Sequence, residues 1–246
     1  MLSKSHAKYI QSLHHKKFRD TENCFIAEGG KVVMELLLSK KFKCREIYGK
    51  QEWLNDNEAL IRKSFSGLFE TVQDHELEKI SALTTPNNVL AIFENAETLN
   101  VNPEGKISLL LDGIQDPGNM GTIIRIADWF GIENIVCSNN TADCYNPKVV
   151  QSSMGSLGRV NIFYTGLEEW IKQYKKVKLY ATTLNGKNVN ELRITEGMIL
   201  IGNEGKGIND GLMALANEKI TIPKSGGAES LNAAVATGII LSHIIF

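Results

Sequence analysis

The chain of 246 residues has few cysteines and no long apolar run, and both absences narrow its class. The cysteines form no Cys-x-x-Cys pair and no histidine cluster accompanies them; they are Cys24, Cys44, Cys137 and Cys144. Zinc sites and disulfide frameworks need such groupings, so we expect buried or half-buried free thiols and no metal. No stretch approaches the ~20 apolar residues of a membrane span, and the N-terminus lacks the apolar core of a secretory signal. We therefore expect a cytoplasmic protein without a membrane partner.

The chain also lacks an excess of charge of either sign, since 27 basic and 28 acidic side chains give a net charge of −1. Overall charge therefore argues neither for nor against nucleic acid. The first 19 residues differ, because they hold basic side chains and no acidic one: Lys4, Lys8, Lys16, Lys17 and Arg19. This basic arm predicts contacts with nucleic-acid phosphates, such as those of RNA, through displacement of bound counterions, although a solvated first helix explains the same pattern.

Two familiar nucleotide-binding loops are missing as well. The stretch GNEGKG at 202–207 matches neither G-x-G-x-x-G nor G-x-x-x-x-G-K-[ST], and the carboxylate of Glu204 would repel a phosphate. The chain thus lacks the signature of a nicotinamide or nucleoside-triphosphate enzyme. A carboxylate among exposed backbone groups suits a cationic or neutral ligand better.

Apolar strands alternate with amphipathic helices along the whole chain. Residues 1–95 predict a small α/β domain that begins with a helix at 3–18, and the polar segment 96–106 predicts a linker. Residues 107–246 predict a second α/β domain. Its continuous apolar strands indicate a mostly parallel sheet that is covered on both faces.

Three polar loops follow strands of the second domain, at 112–125, 201–208 and 222–234. Ligands gather at the carboxyl ends of parallel strands, so we expect the three loops to share one site. The side chains of interest in these loops are Asn119, Arg125, Glu204, Ser230 and Asn232. Ser230 taken alone is equally well explained as a helix cap.

The same loops resemble the three motifs of the SpoU (TrmH-like) RNA ribose 2′-O-methyltransferases of the SPOUT superfamily. Asn119-x5-Arg125 with ADWFG resembles the first motif, IGNEGKG the second, and IPKSGGAESLNAAVA the third. The chain departs from the family at Ala233 and Ala234, where valine and serine are frequent, and at Lys224, where many members are uncharged. The stretch FIAEGGKVVMELL resembles the small RNA-binding domain that precedes catalysis in many ribosomal-RNA members.

The resemblance implies an α/β knot for the C-terminal half, a mostly parallel sheet with a deep trefoil knot. It implies a smaller N-terminal α/β domain with a ribosomal-protein-like fold. The implied cofactor is S-adenosyl-methionine, held in the knot loops. The residues expected around the cofactor are Gly202, Asn203, Ile222, Pro223 and Leu231, with Thr182 and Thr183 at a neighbouring strand end. The resemblance also implies a homodimer whose active site the partner subunit completes.

The resemblance assigns catalysis to Arg125, Asn119, Glu204, Ser230 and Asn232. An arginine side chain with a pKa above ~12 is a poor base. We therefore expect Arg125 to grip the phosphate beside the target ribose and to stabilise the developing alkoxide. Asn119 is expected to orient the arginine or the ribose, and Glu204 to pair with Arg125 or to order the knot. Ser230 and Asn232 are expected to contact RNA or to shape their loop.

The function expected from the resemblance is S-adenosyl-methionine-dependent 2′-O-methylation of a ribose in structured RNA. The N-terminal domain favours 23S ribosomal RNA over tRNA as the substrate. Two alternatives stay open: a tRNA (guanosine-2′-O-)-methyltransferase, and a non-catalytic RNA-binding SPOUT protein.

Overall fold

The computed structural model describes residues 2–67, 69–97 and 101–245, which form two compact units. The first unit comprises the described residues up to Glu97 together with Asp143–Arg159. The second comprises the described residues of 101–142 and of 160–245. Residues 98–100 of the expected linker lie outside the described residues. The sequence-based boundaries did not anticipate that Asp143–Arg159 packs with the first unit.

The first unit combines helices with a small mixed sheet. Its elements up to Glu97 are α1 (Lys4–Ser12), α2 (Lys16–Glu22), β1 (Cys24–Glu28), α3 (Gly30–Ser39), β2 (Cys44–Gly49), α4 (Gln51–Ser64), β3 (Phe69–Thr71), α5 (Asp74–Ile80) and β4 (Val89–Glu94). The strand order is β1-β4-β2-β3. Strand β4 is antiparallel to both of its neighbours, and β2 and β3 are parallel.

The helix expected at 3–18 is wrong, because the chain breaks it into α1 and α2. The N–H groups of Leu13 and His14 bond to carbonyl oxygens three residues back, at 3.1 Å each, which tightens and ends α1. The carbonyl oxygens of Leu13 and His14 instead accept hydrogen bonds from the Arg19 guanidinium, at 3.0 and 2.9 Å. Carbonyls at a helix end need such partners, and a buried arginine from the next helix supplies them.

The second unit is built on a six-stranded sheet. From Ile107 onward the chain forms β5 (Ile107–Leu111), α6 (Pro117–Trp129), β6 (Asn134–Ser138), α7 (Pro147–Ser153, within the first unit), β7 (Asn161–Thr165), α8 (Leu167–Gln173), β8 (Leu179–Asn188), β9 (Gly197–Ile201), α9 (Asp210–Leu215), β10 (Glu218–Thr221) and α10 (Ala233–Ile245). The strand order is β10-β8-β9-β5-β6-β7, and the neighbouring strands pair in parallel. The prediction of a mostly parallel α/β sheet is confirmed.

The central strands of this sheet are buried along their length, as their apolar sequences predict. Strands β5 and β9 lie side by side with Leu111 opposite Ile201, so the loops that follow them start next to each other. Strand β8 borders β9 on its other side and pairs with β10 in turn. The parallel strands therefore place the three motif loops at the same end of the sheet, where the carboxyl ends of the strands lie.

Within the described part of the chain, no helix is both long and apolar enough to cross a membrane. Among those same residues, no group of three or more histidine, cysteine, aspartate or glutamate side chains is placed to hold a metal ion. The cysteines are free thiols, buried at Cys24, Cys137 and Cys144 and half-buried at Cys44.

Candidate active site

Helix α6 carries the first two residues of the site. Its N-cap is Asp116, whose Oδ1 accepts the backbone N–H of Asn119 at 2.8 Å, and Pro117 occupies the first turn, where no N–H is needed. Asn119 therefore lies at the start of the helix, and Arg125 lies about 9 Å further along at the rise of an α-helix. Ile123 and Ile124 face the core, while Arg125 is exposed.

The loop after β9 is a closed turn between Asn203 and Gly207. Their backbones exchange two hydrogen bonds at 3.0 and 2.9 Å. A side chain at Gly202 would place its Cβ 2.5 Å from the carbonyl carbon of Gly207, so the close return of the chain requires glycine there. The turn leaves Glu204 exposed at its tip.

Asn232 caps the final helix. Its Oδ1 accepts the backbone N–H groups of Ala234 and Val235 at 3.0 and 3.2 Å. The alternative that Ser230 caps this helix is therefore wrong. The Ser230 side chain is exposed and forms no hydrogen bond with the described part of the chain.

A chain of hydrogen bonds joins the three loops. The side-chain amide of Asn232 donates to Oδ1 of Asn119 at 2.8 Å, and the amide of Asn119 donates to Oε1 of Glu204 at 2.6 Å. Each asparagine donates on one side and accepts on the other, which determines the orientation of both amides. This chain of hydrogen bonds starts at the backbone N–H groups of α10 and ends at the Glu204 carboxylate. The positive N-terminal end of the α10 dipole favours this direction.

Arg125 takes no part in this chain of hydrogen bonds. Glu204 is engaged by Asn119 rather than by the arginine, so the expected pairing of Glu204 with Arg125 is absent within the described residues. The guanidinium of Arg125 is exposed and makes no ion pair or hydrogen bond with the part of the chain that the structure describes. It is therefore available to bind an anion.

A cavity of about 1000 Å³ lies beside the loops. All of the residues expected around the cofactor line it: Gly202, Asn203, Ile222, Pro223, Leu231, Thr182 and Thr183. Glu204 and Ser230 line it too, whereas Arg125, Asn119 and Asn232 do not. Apolar side chains such as Ile201 and Ile220 complete the wall, and the volume lies at the upper end of small-molecule sites.

The cavity wall fits a nucleoside-like cofactor. The hydroxyls of Thr182 and Thr183 donate to carbonyl oxygens of Leu200 and Asn185, at 2.9 and 2.8 Å, so both protons are used within the protein. At these two positions the wall therefore offers backbone groups and apolar contacts rather than free hydroxyl donors. This combination suits an adenosine moiety held through its edges and its ring face.

Four charged residues of the cavity wall were not assigned to the site by the sequence analysis. They are Lys206, Lys219, Lys224 and Glu229. Three of them lie inside the motif stretches and could have been found there. Lys219 belongs to β10, and no local signal marks it.

The basic arm divides into exposed and buried members. Lys4, Lys8, Lys16 and Lys17 are exposed, and Lys16 pairs with Asp20 at 2.8 Å. Arg19 is only 2% exposed, and its guanidinium forms an ion pair with Asp143 at 2.6 Å. The expectation that Arg19 contacts RNA is therefore corrected, because its donors are used inside the first unit.

The fold and the site together define an α/β protein with a cofactor-sized cavity at the strand ends of a parallel sheet. Residues 106–242 match the model of the SpoU rRNA Methylase family, and residues 4–91 match an MRM3-like substrate binding domain. The chain belongs to the SpoU rRNA methylase family, as the motifs predicted.

Relatives of known name and structure agree with this assignment. The 23S rRNA (guanosine(2553)-2′-O)-methyltransferase RlmP of Bacillus subtilis is 34% identical over 248 residues, covering 95% of this chain and 93% of the relative. An rRNA methyltransferase from Sinorhizobium meliloti, solved with S-adenosyl-methionine bound, superposes with a TM-score of 0.87 at 30% identity and covers 99% of this chain and 95% of that one. A TrmH-family protein from Porphyromonas gingivalis also has a TM-score of 0.87, at 35% identity, covering 99% and 98%.

Proposed function

We propose that this protein transfers a methyl group from S-adenosyl-methionine to the 2′-hydroxyl of a ribose in 23S ribosomal RNA. The observation that carries the proposal is the chain of hydrogen bonds that joins the three motif loops beside one cavity. The name of the Bacillus relative supports the reaction and the substrate, and the bound cofactor of the Sinorhizobium structure supports the methyl donor.

The residues that would hold the cofactor line the cavity from strand β8, from the loop after β9 and from the loop between β10 and α10: Thr182, Thr183, Gly202, Ile222 and Leu231. S-adenosyl-methionine, when bound, supplies an electrophilic methyl group on a sulfonium. The protein has little covalent chemistry to perform, so its contribution is to align the ribose hydroxyl with that methyl group.

Arg125 binds the RNA phosphate next to the target ribose and stabilises the negative charge that develops on the 2′-oxygen. Its exposure and its lack of a partner among the described residues leave the guanidinium available for this role. A guanidinium makes short, charge-assisted hydrogen bonds with phosphate. A guanidinium is a poor general base, so we assign no proton transfer to Arg125.

Asn119, Glu204 and Asn232 act as one positioning group. Their side chains bind one another, with donor–acceptor distances of 2.6 and 2.8 Å, and hold the first turn of α6 to the two cavity loops. Arg125 extends from the helix that this group anchors. Ser230 is not part of this group, and its hydroxyl has no partner among the described residues. Ser230 is therefore available to contact RNA.

The protein acts as a homodimer in the cytoplasm, where ribosomal RNA is modified. Arg125 does not line the cavity of its own chain, and the exposed face of α6 continues from Arg125 to Trp129, which is 83% exposed. Val235 on α10 is 51% exposed. A second copy that covers these apolar side chains would complete the site.

Light scattering should give twice the chain mass, and Trp129→Glu should lower it; a monomeric wild type would refute the dimer.

The proposed reaction is tested by tritium transfer from labelled S-adenosyl-methionine to RNA from a strain that lacks the gene. Ribosomal RNA, tRNA and intact ribosomal subunits are offered separately. Label in 23S RNA, recovered as a ribose-methylated nucleotide, is expected. Label in tRNA alone would keep the reaction and refute the substrate, while bound cofactor without any transfer would favour a non-catalytic RNA-binding protein.

A further inference from the structure

The side-chain amide of Asn203 is turned into the protein, although the residue lines the cavity. Its Nδ2 donates to the carbonyl oxygen of Gly113 at 2.7 Å. Its Oδ1 accepts the backbone N–H groups of Gly205 and Lys206, each at 2.9 Å. One amide therefore shapes its own turn and ties that turn to a loop 90 residues earlier in the chain.

The carbonyl of Gly113, which accepts the hydrogen bond from Asn203, belongs to a residue that is itself held in place. Gly113 has a φ of +67°, and a Cβ at this position would lie 3.1 Å from Nδ2 of Asn140. Its N–H donates to Oγ of Ser138 at 2.8 Å, and that hydroxyl also lies 2.6 Å from Oδ1 of Asn140. Gly113, whose carbonyl accepts the amide of Asn203, is thus also held through its own N–H by a residue at the end of β6.

The residue that follows this anchored position is Glu204, which accepts the amide of Asn119. Glu204 is exposed and has a long, flexible side chain, so the ordering of its backbone decides whether it stays against Asn119. The bonds of Asn203 supply that ordering. They place Glu204 beside the helix that carries Arg125.

We propose that Asn203 is a positioning residue for methyl transfer, whose amide holds the 203–207 turn to Gly113 so that Glu204 stays bonded to Asn119. This role rests on the proposed function. Asn203 was expected around the cofactor and does line the cavity, but both ends of its side-chain amide bond to the protein backbone.

Two substitutions of Asn203 distinguish the hydrogen bond of its amide nitrogen from those of its amide oxygen. Asn203→Asp keeps the oxygen that accepts Gly205 and Lys206 but sets a carboxylate oxygen against the Gly113 carbonyl. Asn203→Ala removes both interactions. Asn102→Ala is the matched control, because Asn102 is an exposed asparagine whose Oδ1 accepts only the local N–H of Glu104, at 3.1 Å.

The variants are compared by maximal rate of methyl transfer at saturating RNA and cofactor, and by calorimetry with S-adenosyl-methionine. Both Asn203 variants should lose about 10- to 100-fold in maximal rate while binding the cofactor within about threefold of wild type. Hydrogen exchange at Gly205 and Lys206 should stay slow in Asn203→Asp and become fast in Asn203→Ala. Asn102→Ala should match the wild type.

The role is further tested in a Glu204→Ala background. If Asn203 acts through Glu204, Asn203→Asp should lower the maximal rate there by less than about threefold, because the two effects are not additive. Full additivity, or weakened cofactor binding with an unchanged maximal rate, would overturn the role and leave the proposed function standing. Absence of RNA methylation by the wild type would overturn both.

Discussion

The Arg19→Met variant is expected to lose stability rather than affinity for RNA. The guanidinium contacts Asp143 through two nitrogens, at 2.6 and 3.3 Å, and donates to two backbone carbonyls. The substitution leaves the Asp143 carboxylate, whose side chain is 16% exposed, without its cation. Breaking a buried pair by removing one partner costs about 3–5 kcal/mol, and we expect a loss of that order in the free energy of unfolding of the first unit.

Urea unfolding followed through Trp53, a half-buried tryptophan of the first unit, measures this loss. Lys17→Met is the matched control, since Lys17 is exposed on the same helix and should change stability by less than about 0.5 kcal/mol. The salt dependence of RNA binding supplies the second measurement. Each phosphate contact that is lost lowers the slope by about 0.7–0.9, which we expect for Lys17→Met and not for Arg19→Met. An Arg19→Met protein that keeps the stability of the wild type, and whose RNA binding depends less steeply on salt, would refute the structural role of Arg19.

Three further results are expected. Arg125→Ala should lower methyl transfer at least about 100-fold while calorimetry shows unchanged cofactor binding, and weakened cofactor binding in a folded variant would contradict the assignment. Glu204→Gln keeps an oxygen that accepts the amide of Asn119, so its rate should fall less than that of Glu204→Ala; equal rates in the two variants would argue against the positioning group. Burial lowers the pKa of Lys41 from 10.5 to about 8, so between those two pH values the unfolded chain binds more protons than the native one and stability should rise with pH. Lys41→Met should flatten this rise in urea unfolding series, and an unchanged pH dependence would show that other groups cause it.

The alternation of apolar strands with amphipathic helices followed from the sequence because periodicity and turn chemistry are local. The break between α1 and α2 was missed, because the residue that stabilises it, Arg19, acts through hydrogen bonds that the local pattern does not reveal.

The candidate site was predictable as a set of residues and not as an arrangement. The three motifs identified the side chains, and the parallel order of the strands explains why their loops meet. The roles within the set were not visible: Asn232 rather than Ser230 caps α10, and Asn203 binds backbone instead of facing a ligand.

The sequence by itself determined the α/β class, the parallel sheet and the family, since each rests on residue types at short spacings. The tertiary structure decided which groups are engaged and which remain available. Asn119 and Glu204 are 85 residues apart and Arg19 and Asp143 are 124 apart, and only the folded chain brings each pair within hydrogen-bond distance. Those long-range bonds distinguish the exposed Arg125, which is available to a ligand, from the buried Arg19, which is not.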